Sequence, residues 1–286
     1  MQAPIPSSDP ATARAGAAPP SARPRRPAAG RRLGGLCLAA LCLSGSAALA
    51  DRRVVVGHDG RIPEAAAALR LSTSPDLLAE RHAATGVVEC GGVRGIGQLT
   101  GRADVVTSAA HVFFDESGRS RAERGRCVFI LTGAAGRTEV ALTPDPRLCG
   151  STSPYGEDAR RDWAVAHLAR PIPGVVPYAV GASVKVGEPI TVVALESGRR
   201  TFDFCRVREL RAAAGGGREI LTDCVGFDGL SGAAYLVGGA HPRVIGVHVG
   251  FRSRAPDVAA PFAADHHTFG TALDGAFGRA VATSTR

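Results

Sequence analysis

The chain has 286 residues, 45% apolar and 21% charged, which is the composition of a globular chain rather than a disordered one. Its net charge of +8 is concentrated at the front: the first 50 residues carry six Arg against one Asp, and the remaining 236 are near +3. That modest surplus, with no Lys/Arg run and no interleaved aromatics, gives no footprint for a phosphate backbone, so nucleic-acid binding is set aside.

Residues 2–30 are Ala, Pro, Ser and Arg without an apolar period and read as disordered. Arg31-Arg32, the apolar run Leu33–Leu43 and the small-residue end Ala48-Leu49-Ala50 then form the three-part pattern of a secretory signal peptide. The run is short and interrupted by glycine, so no stable membrane anchor is expected. Residues 1–50 are therefore expected to be a removable leader, and the mature chain to be secreted or periplasmic.

Export places Cys90, Cys127, Cys149, Cys205 and Cys224 in an oxidising compartment. Five is odd, so at least one thiol stays free. Cys205 and Cys224 lie in two β-rich runs, Thr201–Leu210 and Glu219–Cys224, and neighbouring antiparallel strands would bring them within bridging distance. Cys127–Cys149 is the second expected pair, leaving Cys90 over. None of the five has the spacing of a zinc site.

From Val87 to Phe251 the chain is a series of short strands with Gly, Pro and Asp between them. They run Val87–Cys90, Gly95–Thr100, Val105–Ser108, Cys127–Leu131, Thr138–Leu142 and Trp163–Leu168, then Ile190–Leu195, the hairpin above, Ala233–Val237 and Arg243–Phe251. Such spacing predicts an all-β sandwich or barrel. Helices are predicted over Pro63–Leu69 and Thr271–Val281, and Pro171-Ile172-Pro173-Gly174 should link two halves. His266-His267 has no third ligand at suitable spacing and reads as a solvated loop.

Three segments carry chemistry. Val105–His111 is an apolar strand that closes on Ser108-Ala109-Ala110-His111, small residues that let the backbone pack closely around a rigidly held base. Asp162-Trp163-Ala164-Val165 opens a burial strand with an acid. Asp228-Gly229-Leu230-Ser231-Gly232 sets a serine between glycines, and the N–H groups of Gly229 and Ser231 could form an oxyanion hole beside the Ser231 hydroxyl. Each alone has a plain structural reading: a packed histidine, a capping aspartate, a hairpin turn. The conjunction points further, because His, Asp and Ser follow in that order, about 50 and 70 residues apart.

At these residues the sequence resembles the chymotrypsin/trypsin-like serine proteases, and more closely their bacterial glutamyl-endopeptidase-like branch. Ser108–His111 is similar to the family's histidine motif, Asp162–Val165 to its aspartate motif and Gly229–Gly232 to its nucleophile loop. Arg243–Gly250 resembles the strand that lines the substrate pocket, and Val54-Val55-Val56-Gly57 weakly resembles the start of a mature protease. The resemblance implies two antiparallel six-stranded β-barrels, about 54–170 and about 175–265, with a short C-terminal helix. It also implies a serine endopeptidase with catalytic His111, Asp162 and Ser231, a polypeptide substrate, no metal or organic cofactor, and a monomer. Val225, His248 and Gly250 would line the pocket.

The departures matter too. Leu230 stands where the family places the aspartate that receives a newly cut N-terminus, which argues against that activation step. Val225 occupies the place of the acid that selects Arg or Lys, whereas His248 resembles the residue with which glutamyl endopeptidases bind Glu. An α/β-hydrolase is excluded by Ala233 in its last motif glycine and by the reversed order of the three residues. The remaining rival is a protease-fold binding module whose oxyanion loop is disturbed by Leu230.

Overall fold

Short apolar runs punctuated by turn residues cannot bury both faces in one flat sheet, and here they curl into barrels. The computed structural model describes residues 52–133, 136–181, 183–212 and 217–286. The leader expected over residues 1–50 lies outside them.

The chain enters through two minimal strands, β1 (Arg53–Val54) and β2 (Ile62–Pro63), and two helices, α1 (Glu64–Arg70) and α2 (Pro75–Arg81). The helix predicted over Pro63–Leu69 thus forms one residue later. Helix α2 was not anticipated, yet it has a readable start: Pro75 sits at its first position and the Ser74 hydroxyl accepts the Leu77 N–H at 3.2 Å.

Strands β3 (Thr85–Cys90), β4 (Val93–Leu99), β5 (Val105–Ser108), β6 (Cys127–Gly133), β7 (Gly136–Cys149) and β8 (Ala164–Leu168) form a closed barrel in the order β3-β4-β5-β8-β7-β6. Val88, Leu99, Val106, Phe129 and Val165 are fully buried in it, each worth about 1.5–3 kcal/mol of burial. The segment containing Pro171–Gly174 connects β8 to the second set: β9 (Ala179–Val180), β10 (Pro189–Glu196), β11 (Arg199–Ala212), β12 (Arg218–Thr222), β13 (Gly226–Phe227), β14 (Ala234–Val237), β15 (Arg243–Ser253) and β16 (His266–Ala272). There β10 pairs with both β11 and β14, which closes the ring β10-β14-β15-β16-β12-β11. The two closed six-stranded antiparallel barrels that the resemblance implies are therefore both present. Strand β9 joins the second barrel parallel to β15, and β2 joins it beside β11.

The C-terminal helix, α3 (Gly275–Ser284), is present but begins later than predicted. Thr271 and Ala272 complete β16, and α3 docks through Phe277, stacked on Trp163 with ring centroids 4.8 Å apart. No helix among the described residues is long and apolar enough to cross a membrane.

Two disulfides are formed among the described residues. Cys205–Cys224 is the favoured pair, whereas the second is Cys90–Cys127 and not Cys127–Cys149. The reason is register: Cys90 and Cys127 face each other across β3 and β6, while Cys149 ends β7 elsewhere on the barrel and stays a free thiol. Its Sγ–H donates to Pro146 O, and burial pushes its pKa up to about 11. The solvated loop expected at His266-His267 is also corrected. Both residues lie on β16, 7% and 0% exposed, with His266 bonded through Nε2 to Val55 O and through Nδ1 to Ser253 Oγ.

Candidate active site

His111 follows β5 in a single 3₁₀ turn, Ala110–Val112. Ala109 and Ala110 are completely buried, their methyl groups let the turn pack closely, and the imidazole is left with 16% of its side chain exposed. Asp162 arrives at the same rim from the turn that precedes β8. One carboxylate oxygen accepts the His111 main-chain N–H at 2.9 Å, and the other lies 2.6 Å from His111 Nδ1. With Asp162 only 4% exposed, this double contact fixes both the ring and its main chain. The Tyr155 ring lies beside the imidazole, its centroid 5.9 Å away.

Ser231 comes from the second barrel, on a loop stapled to the first. Its carbonyl accepts the Ile96 N–H of β4 at 2.7 Å, and the next N–H, of Gly232, donates to His248 O at 2.8 Å. Gly232 has φ +86°, and a Cβ there would lie 2.1 Å from Ser108 Oγ and 2.2 Å from Ile96 O. Only glycine lets the serine loop approach the strand end that leads to His111. Within the loop, the N–H groups of Leu230 and Ala233 bond to Phe227 O and Leu230 O. Those of Gly229 and Ser231 have no acceptor among the described residues. Ser231 itself is partly exposed, and its hydroxyl makes no hydrogen bond to the His111 ring among the described residues.

The Leu230 side chain is 1% exposed and packs in the core of the second barrel with Val192, Ala194 and Tyr235. It is accommodated rather than forced into the loop. Val225 is buried, and its N–H donates to Asp203 Oδ2 at 2.7 Å. His248 is 1% exposed, with Nδ1 3.2 Å from the Tyr235 hydroxyl. Burial, reinforced by His111 nearby, pulls the pKa of His248 down to about 3, so the ring is neutral. Gly250 is half-buried on β15, opposite Phe269. Thr268 and Phe251 press on the neighbouring Gly226, where a Cβ would meet Thr268 Cγ2 at 2.6 Å and Phe251 Cβ at 3.2 Å.

Two features were not foreseen from the sequence. The first is the entry strand. Arg53 and Val54 pair with Phe227 and Gly226, and the Asp228 N–H donates to Arg52 O at 3.3 Å. On the other side Arg53 exchanges bonds with Asp257, while Val55 O accepts from Ala260 N. The second is Asp203, an acid at an inward position of β11. Its one signal was its phase with Cys205, two residues on in a strand whose neighbours Phe202 and Phe204 alternate with them. Asp203, Cys205 and Cys224 bring possible metal-ligand atoms within 4.8 Å of one another. Both sulfurs are tied in the disulfide, which leaves one carboxylate and no metal site.

Two closed six-stranded antiparallel barrels, with histidine and aspartate on the first and the serine loop on the second, are the fold of the chymotrypsin/trypsin-like serine proteases. Among solved structures the chain is similar to a Glu endopeptidase in complex with MPD, at TM-score 0.56 and 15% identity over 81% of this chain and 99% of that one. It is also similar to Deg5, at TM-score 0.49 and 18% identity over 69% and 87%. A thermostable serine protease, AL20, from an extremophilic microorganism matches at TM-score 0.49 and 13% identity over 71% and 97%. No family model and no curated protein matches the sequence. At 15% identity the likeness to the Glu endopeptidase is one of fold.

Proposed function

We propose that this chain is an exported serine endopeptidase that acts through Ser231, His111 and Asp162. The observation that carries the reading is the double hold of Asp162 on His111, at Nδ1 and at the main-chain N–H. A carboxylate so placed fixes the Nδ1–H tautomer, leaving Nε2 as the base, and stabilises the imidazolium once it forms. The Ser231 hydroxyl attacks a peptide carbonyl while its proton passes to His111. The same proton then goes to the leaving amine, and water repeats the cycle on the acyl-enzyme. The unengaged N–H groups of Gly229 and Ser231 suit the developing oxyanion.

For the pocket, apolar Val225, neutral His248 and a Gly226 backed by Phe251 and Thr268 suit a small uncharged side chain before the cleaved bond. Val225 offers no partner to Arg or Lys. A Glu side chain would find a neutral imidazole rather than a cation. The two disulfides fit an oxidising compartment, a polypeptide is the substrate, and a monomer suffices for the site.

The second reading, a binding module on a protease fold, draws on the missing hydrogen bond between Ser231 and His111. Such bonds are often long in unliganded hydrolases and tighten on substrate. A fluorophosphonate probe separates the two: it should label the parent chain and not Ser231→Ala. A folded parent that neither labels nor cleaves a peptide library would support the binding module.

A further inference from the structure

A buried carboxylate stands behind the loop with no part in the chemistry above. Asp203 and Cys205 are two apart on β11, so both side chains leave the strand on the same side. Cys205 is bonded to Cys224, and Asp203 Oδ2 accepts the Val225 N–H at 2.7 Å. Two consecutive residues at the start of the run to Ser231 are thus held from one strand, the first covalently and the second by a charge-assisted hydrogen bond.

The cost of this arrangement is visible. Asp203 is 6% exposed, and burial raises its pKa to about 6 despite the Val225 bond and the charge of Arg61. Asp59 and Asp223 push the same way, and His58 also lies close by. Arg61 is engaged by Asp59 and Glu196, so no direct ion pair neutralises Asp203. Buried charge of this kind opposes folding, and apolar residues would fill the space at less cost. The Val225 amide is what the carboxylate serves. Beyond it, Gly226–Phe227 and Asp228 make main-chain bonds with Arg52–Val54 and the Arg61 guanidinium lies 4.8 Å over the Phe227 ring, and then the loop reaches Gly229.

We infer that Asp203 is a positioning residue for the proposed hydrolysis: its carboxylate fixes the Val225 amide and so sets where the pocket wall and the Gly229 N–H lie. This rests on the protease reading, and the test separates the two. Asp203→Asn keeps an oxygen for the Val225 N–H and removes the charge, whereas Asp203→Leu keeps the bulk and removes the acceptor. The Asn variant should turn over peptides within about threefold of the parent and melt no lower. The Leu variant should lose roughly tenfold or more in kcat, with KM within about threefold, since small displacements of reacting groups cost factors of this size. Hydrogen exchange over residues 224–231 should rise in the Leu variant by a similar factor.

A Leu variant with parental kcat and parental exchange overturns the inference while leaving the protease reading intact. If the parent itself neither labels nor cleaves, the protease reading falls, and raised or unchanged exchange in the Leu variant decides whether Asp203 holds the wall. Should the Leu variant not fold, the Val225 amide resonance decides. In the parent it should move with a midpoint at about pH 6. The same movement in the Asn variant would overturn the inference, because the titrating group would then be one of the neighbours.

Discussion

Replacing Gly232 by alanine adds one carbon where the serine loop meets the first barrel. At φ +86° an L side chain costs about 1–2 kcal/mol by itself. The new carbon would also fall 2.1 Å from Ser108 Oγ and 2.2 Å from Ile96 O. The serine hydroxyl can rotate only by giving up its bond to Ile96 O at 2.7 Å, and the carbonyl belongs to β4 and cannot step aside. The loop must instead retreat by about 1 Å, with an overpacking cost of about 1–3 kcal/mol. Together these give roughly 2–5 kcal/mol, or about 4–20 °C in Tm for a chain of this size. A retreat of about 1 Å also lowers turnover by on the order of 100-fold. Gly229→Ala is the control for strain alone: at φ +94° nothing lies within 4 Å of its Cβ, so about 1–2 kcal/mol is expected. Calorimetric melting and the rate of fluorophosphonate labelling measure both quantities. A Gly232→Ala chain that melts with Gly229→Ala and labels at the parental rate would refute the packing argument.

Ser231→Ala should abolish hydrolysis yet change stability by less than about 0.5 kcal/mol, as surface substitutions do; adding His111→Ala should cost little more activity, because residues of one catalytic unit are not additive. His248 and His82, with pKa values held down by burial to about 3 and about 4, stay neutral in the fold while the unfolded chain takes up protons. Their contribution is complete above about pH 6.5 and is lost as pH falls through that value towards 4 and 3, so Tm should drop over this range and drop less in His82→Gln. Opening Cys205–Cys224, which spans 19 residues, by paired alanines should cost about 3 kcal/mol in denaturant unfolding. Cys149 should resist iodoacetamide at pH 8 in the folded protein and react fully in urea, since its thiol ionises only near pH 11; fast alkylation of the native chain would contradict its burial.

The barrels were legible because most of their strands announce themselves locally, through apolar runs such as Val105–Ser108 bounded by turn residues. His111, Asp162 and Ser231 were legible as motifs, but their distances were not, since those depend on how two barrels meet. Strand β16 escaped because His266-His267-Thr268-Phe269-Gly270 is polar by composition. Its side chains are satisfied by partners such as Val55 O and Thr222 Oγ1, which lie far away in the chain. The Cys90–Cys127 pairing escaped for a similar reason, because the register between β3 and β6 is not written in either strand alone. Asp203 carried no sequence signal for its role, because the Val225 amide it meets lies 22 residues further along the chain.

The entry strand carries one more consequence. Its ties to Gly226–Asp228 and to Asp257–Ala260 run mainly through peptide groups, which are the same for every residue but proline. The exposed Arg52 and Arg53 can therefore drift in identity at little cost. Spacing has no such freedom. Deleting a single residue between Val54 and Gly57 would shift the ladder by one step and turn an arginine towards the place where Val54 now lies fully enclosed.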